Sequence, residues 1–197
     1  MLKKRILLLD GHPGNSSLSR LFVETYGTAA NSAGHDIRHI HLADLEFDPD
    51  FGGGGYADIK PLEPSVEAFL NDLEWANHVV LAAPLWWGGL PAKLKGLFDR
   101  ALIPGRAFDT RNTTLVGLPK PVLTGRTGRV ILTSDTPGWF LRWVYGNAIM
   151  RQITDQIFGF IGITPTRFTY FAGASHPKPG QIDRWVEKVK RIGMQAA

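Results

Sequence analysis

The chain has 197 residues, enough for one domain with a substantial core, and its 44% hydrophobic and 20% charged residues are those of a globular protein. No apolar run approaches the roughly 18 residues a membrane helix needs, so membrane insertion is not expected. The absence of cysteine excludes disulfides and thiolate metal sites and fits a cytoplasmic location. A net charge of +4 raises nucleic acid as a partner, yet the basic residues are scattered. No run reaches about five like charges, so the expectation is an ordinary solvated basic surface and no nucleic-acid binding.

Lys4 to Asp10 is the first predicted strand, with Ile6-Leu7-Leu8-Leu9 as a run suited to burial on both faces of a parallel sheet. Together with the lysines before it, this run superficially imitates a signal peptide. Asp10 ends it early and no small-residue cleavage site follows, so a strand is the reading. Gly11 to Ser17 is a turn of residues that tolerate unusual backbone angles and cap helices. The helix after it places Leu18, Leu21, Phe22, Thr25, Tyr26 and Ala29 on one face. Strand, polar turn and helix N-terminus supply free N–H groups, hydroxyl donors and a positive dipole end, which suits a phosphate. The turn matches neither G-x-G-x-x-G nor a P-loop.

Gly34 caps that helix, and Asp36 to Leu42 is a second predicted strand. His39 and His41 share one face of it, but no third ligand is placed with them, so a solvated or edge face is expected and no metal site. Phe47 to Lys60, with Gly52 to Gly55 inside it, reads either as a mobile flap beside the active site or as an inert insertion. Pro61 to Ala76 reads as a helix through Val66, Phe69, Leu70 and Leu73.

Val79 to Ala83 is the central buried strand, stopped by Pro84, which has no N–H to give a ladder. Leu85-Trp86-Trp87-Gly88-Gly89 forms a loop, and Pro91 sits where a helix favours its first residue. Leu94, Leu97, Phe98, Ala101 and Leu102 make the buried stripe of the next helix, with Lys93, Lys95 and Arg100 assigned to its solvated face. The indoles of Trp86 and Trp87 either plug the top of the sheet or form one wall of a flat aromatic pocket. The second is favoured, because the carboxyl end of a central strand is where open α/β sheets bind ligands and the adjacent glycines allow close approach.

Ile103 to Gly128 is rich in turn formers and too long to be a plain connector in a compact domain. Arg129 to Ser134 is the fourth predicted strand, and Thr133 to Phe140 is the third carboxyl-terminal loop. Residues 139 to 161 read as one long helical or partly helical segment ending at Gly162, with Trp139, Phe140, Trp143 and Tyr145 concentrated at its start. Thr166 to Phe171 is the last strand, and Pro179-Gly180 opens a final helix buried through Ile182, Trp185, Val186 and Val189. Five strands alternating with helices predict a single three-layer α/β domain, 1–197, with a doubly wound parallel sheet.

From Pro84 to Arg100 the chain reads P-L-x-W-x-G-x-P-A-x-L-K-G-x-F-D-R and resembles the signature of the flavodoxin-like NAD(P)H:quinone oxidoreductase family, the NAD(P)H dehydrogenases (quinone). The resemblance implies a flavodoxin-like five-stranded sheet of order 2-1-3-4-5 and a bound flavin, FAD or FMN. Pro84, Leu85, Trp86, Trp87 and Gly88 would then carry the ring. His12, Ser16, Ser17, Leu18 and Ser19 match the family's phosphate-binding turn. The family's third loop is usually Thr-Thr-Gly-Gly; here Thr133 and Ser134 keep the hydroxyls while Asp135 and Thr136 replace the glycines. The family's quinone reductases carry a Tyr and a His further on, where this chain has Leu141 and Asn147, with Tyr145 close but out of register.

The activity so implied is electron transfer from NAD(P)H through the flavin to a small quinone-like acceptor. Trp86, Trp139 and Tyr145 are candidates for stacking substrates. A homodimer sharing its sites between chains is also implied. The positive net charge argues against a small acidic electron-shuttle flavodoxin. Other readings are an azo- or nitro-compound reductase, or a regulatory flavoprotein subunit that binds a membrane transporter.

Overall fold

A computed structural model describes residues 2–55 and 58–196. Tyr56 and Ala57, within the predicted glycine-rich loop, lie outside the described residues, as do Met1 and Ala197. β1 (Arg5–Asp10), β2 (Asp36–His41), β3 (His78–Pro84), β6 (Arg126–Ser134) and β7 (Ile163–Ala172) form one parallel sheet in the order β2-β1-β3-β6-β7. Counting only these five, the order is the expected 2-1-3-4-5. Every residue of β3 is buried, as its unbroken apolar run requires for a strand covered on both sides.

The two-residue period of the strands sorts the core into two layers. Leu7, Leu9, Val79, Leu81, Val130 and Leu132 face α2 (Pro64–Trp75), α3 (Ala92–Ala101) and the segment from Ile149 to Ile161. Ile6, Leu8, Val80, Ala82 and Ile131 face α1 (Leu18–Ser32) and α7 (Gln181–Met194). Gly193 of α7 lies so close to α1 that a Cβ there would stand 2.7 Å from the carbonyl oxygen of Tyr26. Among the described residues no helix is long and apolar enough to cross a membrane.

Two expectations are sharpened and one is corrected. The long segment after α3 is indeed more than a connector: it contains an antiparallel hairpin, β4 (Phe108–Thr113) with β5 (Pro119–Pro121), apart from the main sheet. The prolines at both ends of β5 are tolerated because this ribbon has free edges. Of the two readings of 139–161, partly helical holds: the segment divides into α4 (Gly138–Trp143), α5 (Ala148–Arg151), a π-helical stretch (Gln152–Phe158) and α6 (Gly159–Ile161). The break falls at Gly146 and Asn147, whose φ of 58° and 52° cannot continue a right-handed helix. Finally, Arg100 is not on a solvated face: it is 1% exposed. Its guanidinium donates to the carbonyl of Pro61 at 2.8 Å and of Lys60 at 3.3 Å, and pairs with Glu63 at 2.8 Å.

Candidate functional site

Because β1, β3 and β6 are neighbours in a parallel sheet, the loops at their carboxyl ends meet. The N–H of Gly11 donates to the carbonyl of Ala82 at 2.8 Å, and that of Leu85 to Thr133 at 2.8 Å, so the three chains are tied where they leave the sheet. The His12 ring stands edge-on to Trp86 with centroids 5.4 Å apart.

In the first loop, Ser17 is the N-cap of α1, its Oγ accepting from the N–H of Arg20 at 3.0 Å. Leu18 and Ser19 begin the helix, so their N–H groups have no partner inside it. Ser16 is exposed just before the cap and Ser19 is buried in the first turn. His12 Nδ1 accepts from the N–H of Gly14 at 2.9 Å, which puts the neutral ring's proton on Nε2. A helix terminus flanked by polar side chains has the donors an anion would need.

Beneath it lies a residue not singled out by sequence reasoning. Asp10 is fully buried, accepts from the His12 N–H at 3.1 Å and faces His41 Nδ1 at 3.4 Å. Burial pushes its carboxyl above the usual carboxylate range. The available signal was an acidic residue ending an otherwise apolar strand.

The second loop separates the two indoles. Trp86 and Gly89 exchange two backbone hydrogen bonds of 2.9 Å around a two-residue turn. Its central residues, Trp87 and Gly88, both have positive φ, 51° and 79°. Glycine adopts this freely, but a bulky residue there is strained. Trp87 is completely exposed, at 106%, and Trp86 is 43% exposed, so neither plugs the sheet. The turn also leaves the N–H groups of Trp87 and Gly88 outside its two bonds.

Between the second and third loops opens a slot of ≈ 580 Å³, a size ordinary for a cofactor cleft. Leu85, Trp87 and Gly88 line one side; Ser134 and Thr136 come from the third loop. Leu141, Tyr145, Ala148 and Ile149 complete it. Thr133 is buried within β6, and Pro84 sits at the end of β3 opposite it. Asp135 turns to Ser175, accepting from its Oγ at 2.6 Å and its N–H at 2.8 Å; these bonds hold its carboxyl below the usual range. Trp86 and Trp139 are exposed beside the slot's loops and do not line it.

Tyr145 does line it, although it is out of register with the family pattern. The left-handed pair Gly146-Asn147 turns the chain back so that the Asn147 N–H bonds the Leu141 carbonyl at 2.9 Å, which brings Leu141 and Tyr145 to the same wall. The apolar walls contributed by Ala148 and Ile149 had no distinctive sequence signal. Phe51 and Gly55, from the glycine-rich loop, do not line the slot itself; they border a cavity beside α3.

The donor set fits a flavin nucleotide. A helix terminus with hydroxyls suits its phosphate, and a mostly apolar slot with unbonded N–H groups at one edge suits its ring. Among the described residues no group of three metal-ligating side chains occurs.

Comparison with known proteins finds relatives in sequence and fold. The FMN-dependent NADH:quinone oxidoreductase of Polaromonas naphthalenivorans is 29% identical over 138 residues, 68% of this chain and 61% of that protein. The FMN-dependent NADH:quinone oxidoreductase of Beijerinckia indica is 25% identical over 191 residues, 89% of this chain and 91% of that protein. The chain thus spans about three fifths of the first relative and nearly all of the second. The structure of the NAD(P)H:quinone oxidoreductase from Methanothermobacter marburgensis has a TM-score of 0.79 at 19% identity, covering 98% of this chain and 96% of that one, and shows a shared fold. A profile described as flavodoxin-like fold matches residues 4–192, and on that match the chain belongs to the flavodoxin-like fold family.

Proposed function

We propose that the chain is an FMN-dependent NADH oxidoreductase that reduces quinone-like acceptors. The observation that carries this reading is the mostly apolar slot between Trp87 and Tyr145, on the same edge of the sheet as the polar N-terminus of α1. The names of the two relatives support FMN over FAD and NADH as the donor. When bound, FMN supplies the redox chemistry, and the protein supplies position and electrostatics.

Ser16, Ser17, the N–H groups of Leu18 and Ser19, and His12 hold the phosphate. The Trp87 and Gly88 N–H groups, with the Ser134 and Thr136 hydroxyls, offer hydrogen bonds to a ring that gains negative charge on reduction. Leu141, Ala148 and Ile149 exclude water from one side of the cleft, and Tyr145 gives donor and acceptor an aromatic surface on which to take turns.

The test is flavin binding by the purified protein and by Ser16→Glu. Wild type made with ample riboflavin is expected to show flavin absorbance, to release FMN on denaturation and to oxidise NADH with a benzoquinone. In the variant a carboxylate would stand against the phosphate, and losing charge-assisted hydrogen bonds worth about 3 kcal/mol weakens FMN binding roughly a hundredfold. The same carboxylate at a helix N-terminus leaves the flavin-free protein as stable or slightly more so. A colourless wild type that takes up no FMN ends this reading.

The working unit is a homodimer. Trp139, Trp143, Val144 and Tyr145 are all exposed on one short stretch beside the slot, Trp143 at 74%, and a run of large apolar side chains left to water is what a subunit interface would cover. Sedimentation velocity should give a dimer that Trp143→Glu dissociates; a monomeric wild type at tens of micromolar would rule this out.

A further inference from the structure

The slot continues past Ile149. Gly88, Ala148 and Ile149 also line a second cavity of ≈ 480 Å³, whose remaining wall is polar: Arg151, Gln152, Asp155 and Gln156. Gln156 in turn borders a third cavity of ≈ 480 Å³ among Phe51, Phe98, Phe108 and Phe160. These shared lining residues set the three cavities in a row, here called the trough, between α3 and the segment Ala148–Ile161, with Phe108 at the hairpin base and Phe51 at its far end.

The π-helical stretch shapes it. Its wider turn ends on a bond from the Gly159 N–H to the Thr154 carbonyl. A Cβ at Gly159 would lie 2.2 Å from that oxygen, so only glycine permits the geometry. π-Helical turns shift the side-chain register and recur at functional sites. Here Gln152, Asp155 and Gln156 fall on the trough side together.

Beyond the Gln156 amide at its entrance, the far chamber offers little to a polar ligand. Its two charged residues, Lys95 and Asp99, are engaged with each other at 2.5 Å, and Phe98 and Ile157 of its lining belong to the apolar core. What it offers is aromatic and aliphatic surface. Resting on the quinone-reductase reading, we infer that the acceptor is an amphiphilic quinone whose apolar tail lies along this trough into the phenylalanine chamber, its head in the slot. Ile149 and Gln156 are about 10 Å apart at helical rise, a span an extended decyl chain covers.

The test compares two benzoquinones with identical heads, one bearing a decyl tail and one a methyl group, in the FMN-loaded enzyme. Each buried methylene is worth roughly fourfold in affinity, so partial burial predicts at least about a tenfold higher kcat/KM for the decyl compound. In Gln156→Trp, which narrows the passage, and Phe51→Asp, which charges the chamber, that ratio should fall toward one. In flavin-free protein, calorimetric titration with the decyl compound should show saturable binding that Phe51→Asp weakens about tenfold or more.

A wild-type ratio near one, with quinone turnover intact, overturns the inference and leaves the proposed activity standing. If no FMN binds or no quinone turns over, the activity reading fails, and the flavin-free titration alone decides the chamber. Saturable, Phe51-sensitive binding supports it, and absence of binding overturns it.

Discussion

Arg100→Lys is expected to lower the unfolding free energy by about 3 kcal/mol, and Arg100→Ala by about 3–5 kcal/mol, among the largest effects open to a single change in this protein. The guanidinium is 1% exposed and donates to the carbonyls of Lys60 and Pro61 and to the carboxylate of Glu63. Lysine has no planar fork with which to satisfy acceptors in several directions at once, and alanine leaves two carbonyls and a carboxylate facing a void. Glu63 is partly solvated, so Glu63→Gln is the milder change, about 1 kcal/mol. Urea unfolding at neutral pH reads all three; a loss below about 1 kcal/mol for Arg100→Ala would refute the assignment. There is a functional consequence too. Residues 60–63 anchor one end of the loop that carries Phe51 to the trough, so the tail preference should weaken along with the fold.

Acid is expected to destabilise the protein through His78. This residue is 2% exposed on β3, its Nε2 in contact with the Tyr26 hydroxyl at 3.1 Å and its Nδ1 with Thr127 Oγ1 at 2.6 Å. Burial, with the nearby charges of Lys4 and Arg129, pushes its pKa down to about 3. An unfolded histidine titrates near 6.5. Between those values the unfolded chain binds a proton that the folded chain refuses. The stabilisation is therefore complete above about pH 6.5 and is lost as pH falls toward 3. At about 1.4 kcal/mol for each unit, the loss is several kcal/mol, on the order of 3–5. His78→Gln keeps a polar side chain between Tyr26 and Thr127, at a cost of about 1–2 kcal/mol at neutral pH, and should show a distinctly shallower decline toward acid. Parallel slopes for the two proteins would show that His78 is not the responsible group.

The parts of this molecule legible in its sequence are those whose cause is local. Ile6 to Leu9, Val79 to Ala83 and Val130 to Leu132 are continuous apolar runs, and such runs have few homes other than strands covered on both faces. Ser17 was readable as a cap because a short oxygen-bearing side chain before an apolar helical stripe has one clear use. Once three such strands are parallel neighbours, their loops must meet, and the convergence of the three loops was readable from the strand pattern together with the resembled strand order.

Tertiary structure decided whatever depends on a partner remote in the chain. The helical period of α3 reports which side of that helix is apolar; it says nothing of carbonyls about 40 residues away that converge on Arg100 and make a charged residue part of the core. The aromatic cluster after Gly138 reads as helical, yet two residues in left-handed conformation fold it back and deliver Tyr145 to the slot. The adjacent indoles Trp86 and Trp87 are indistinguishable in sequence, and a tight turn sends one against His12 and the other into solvent. The trough exists only because a π-helical turn and α3 lie side by side on the same face of the sheet. Periodicity is a property of one segment, whereas a cavity is a relation between several, and that relation arises only when the sheet has set their distances.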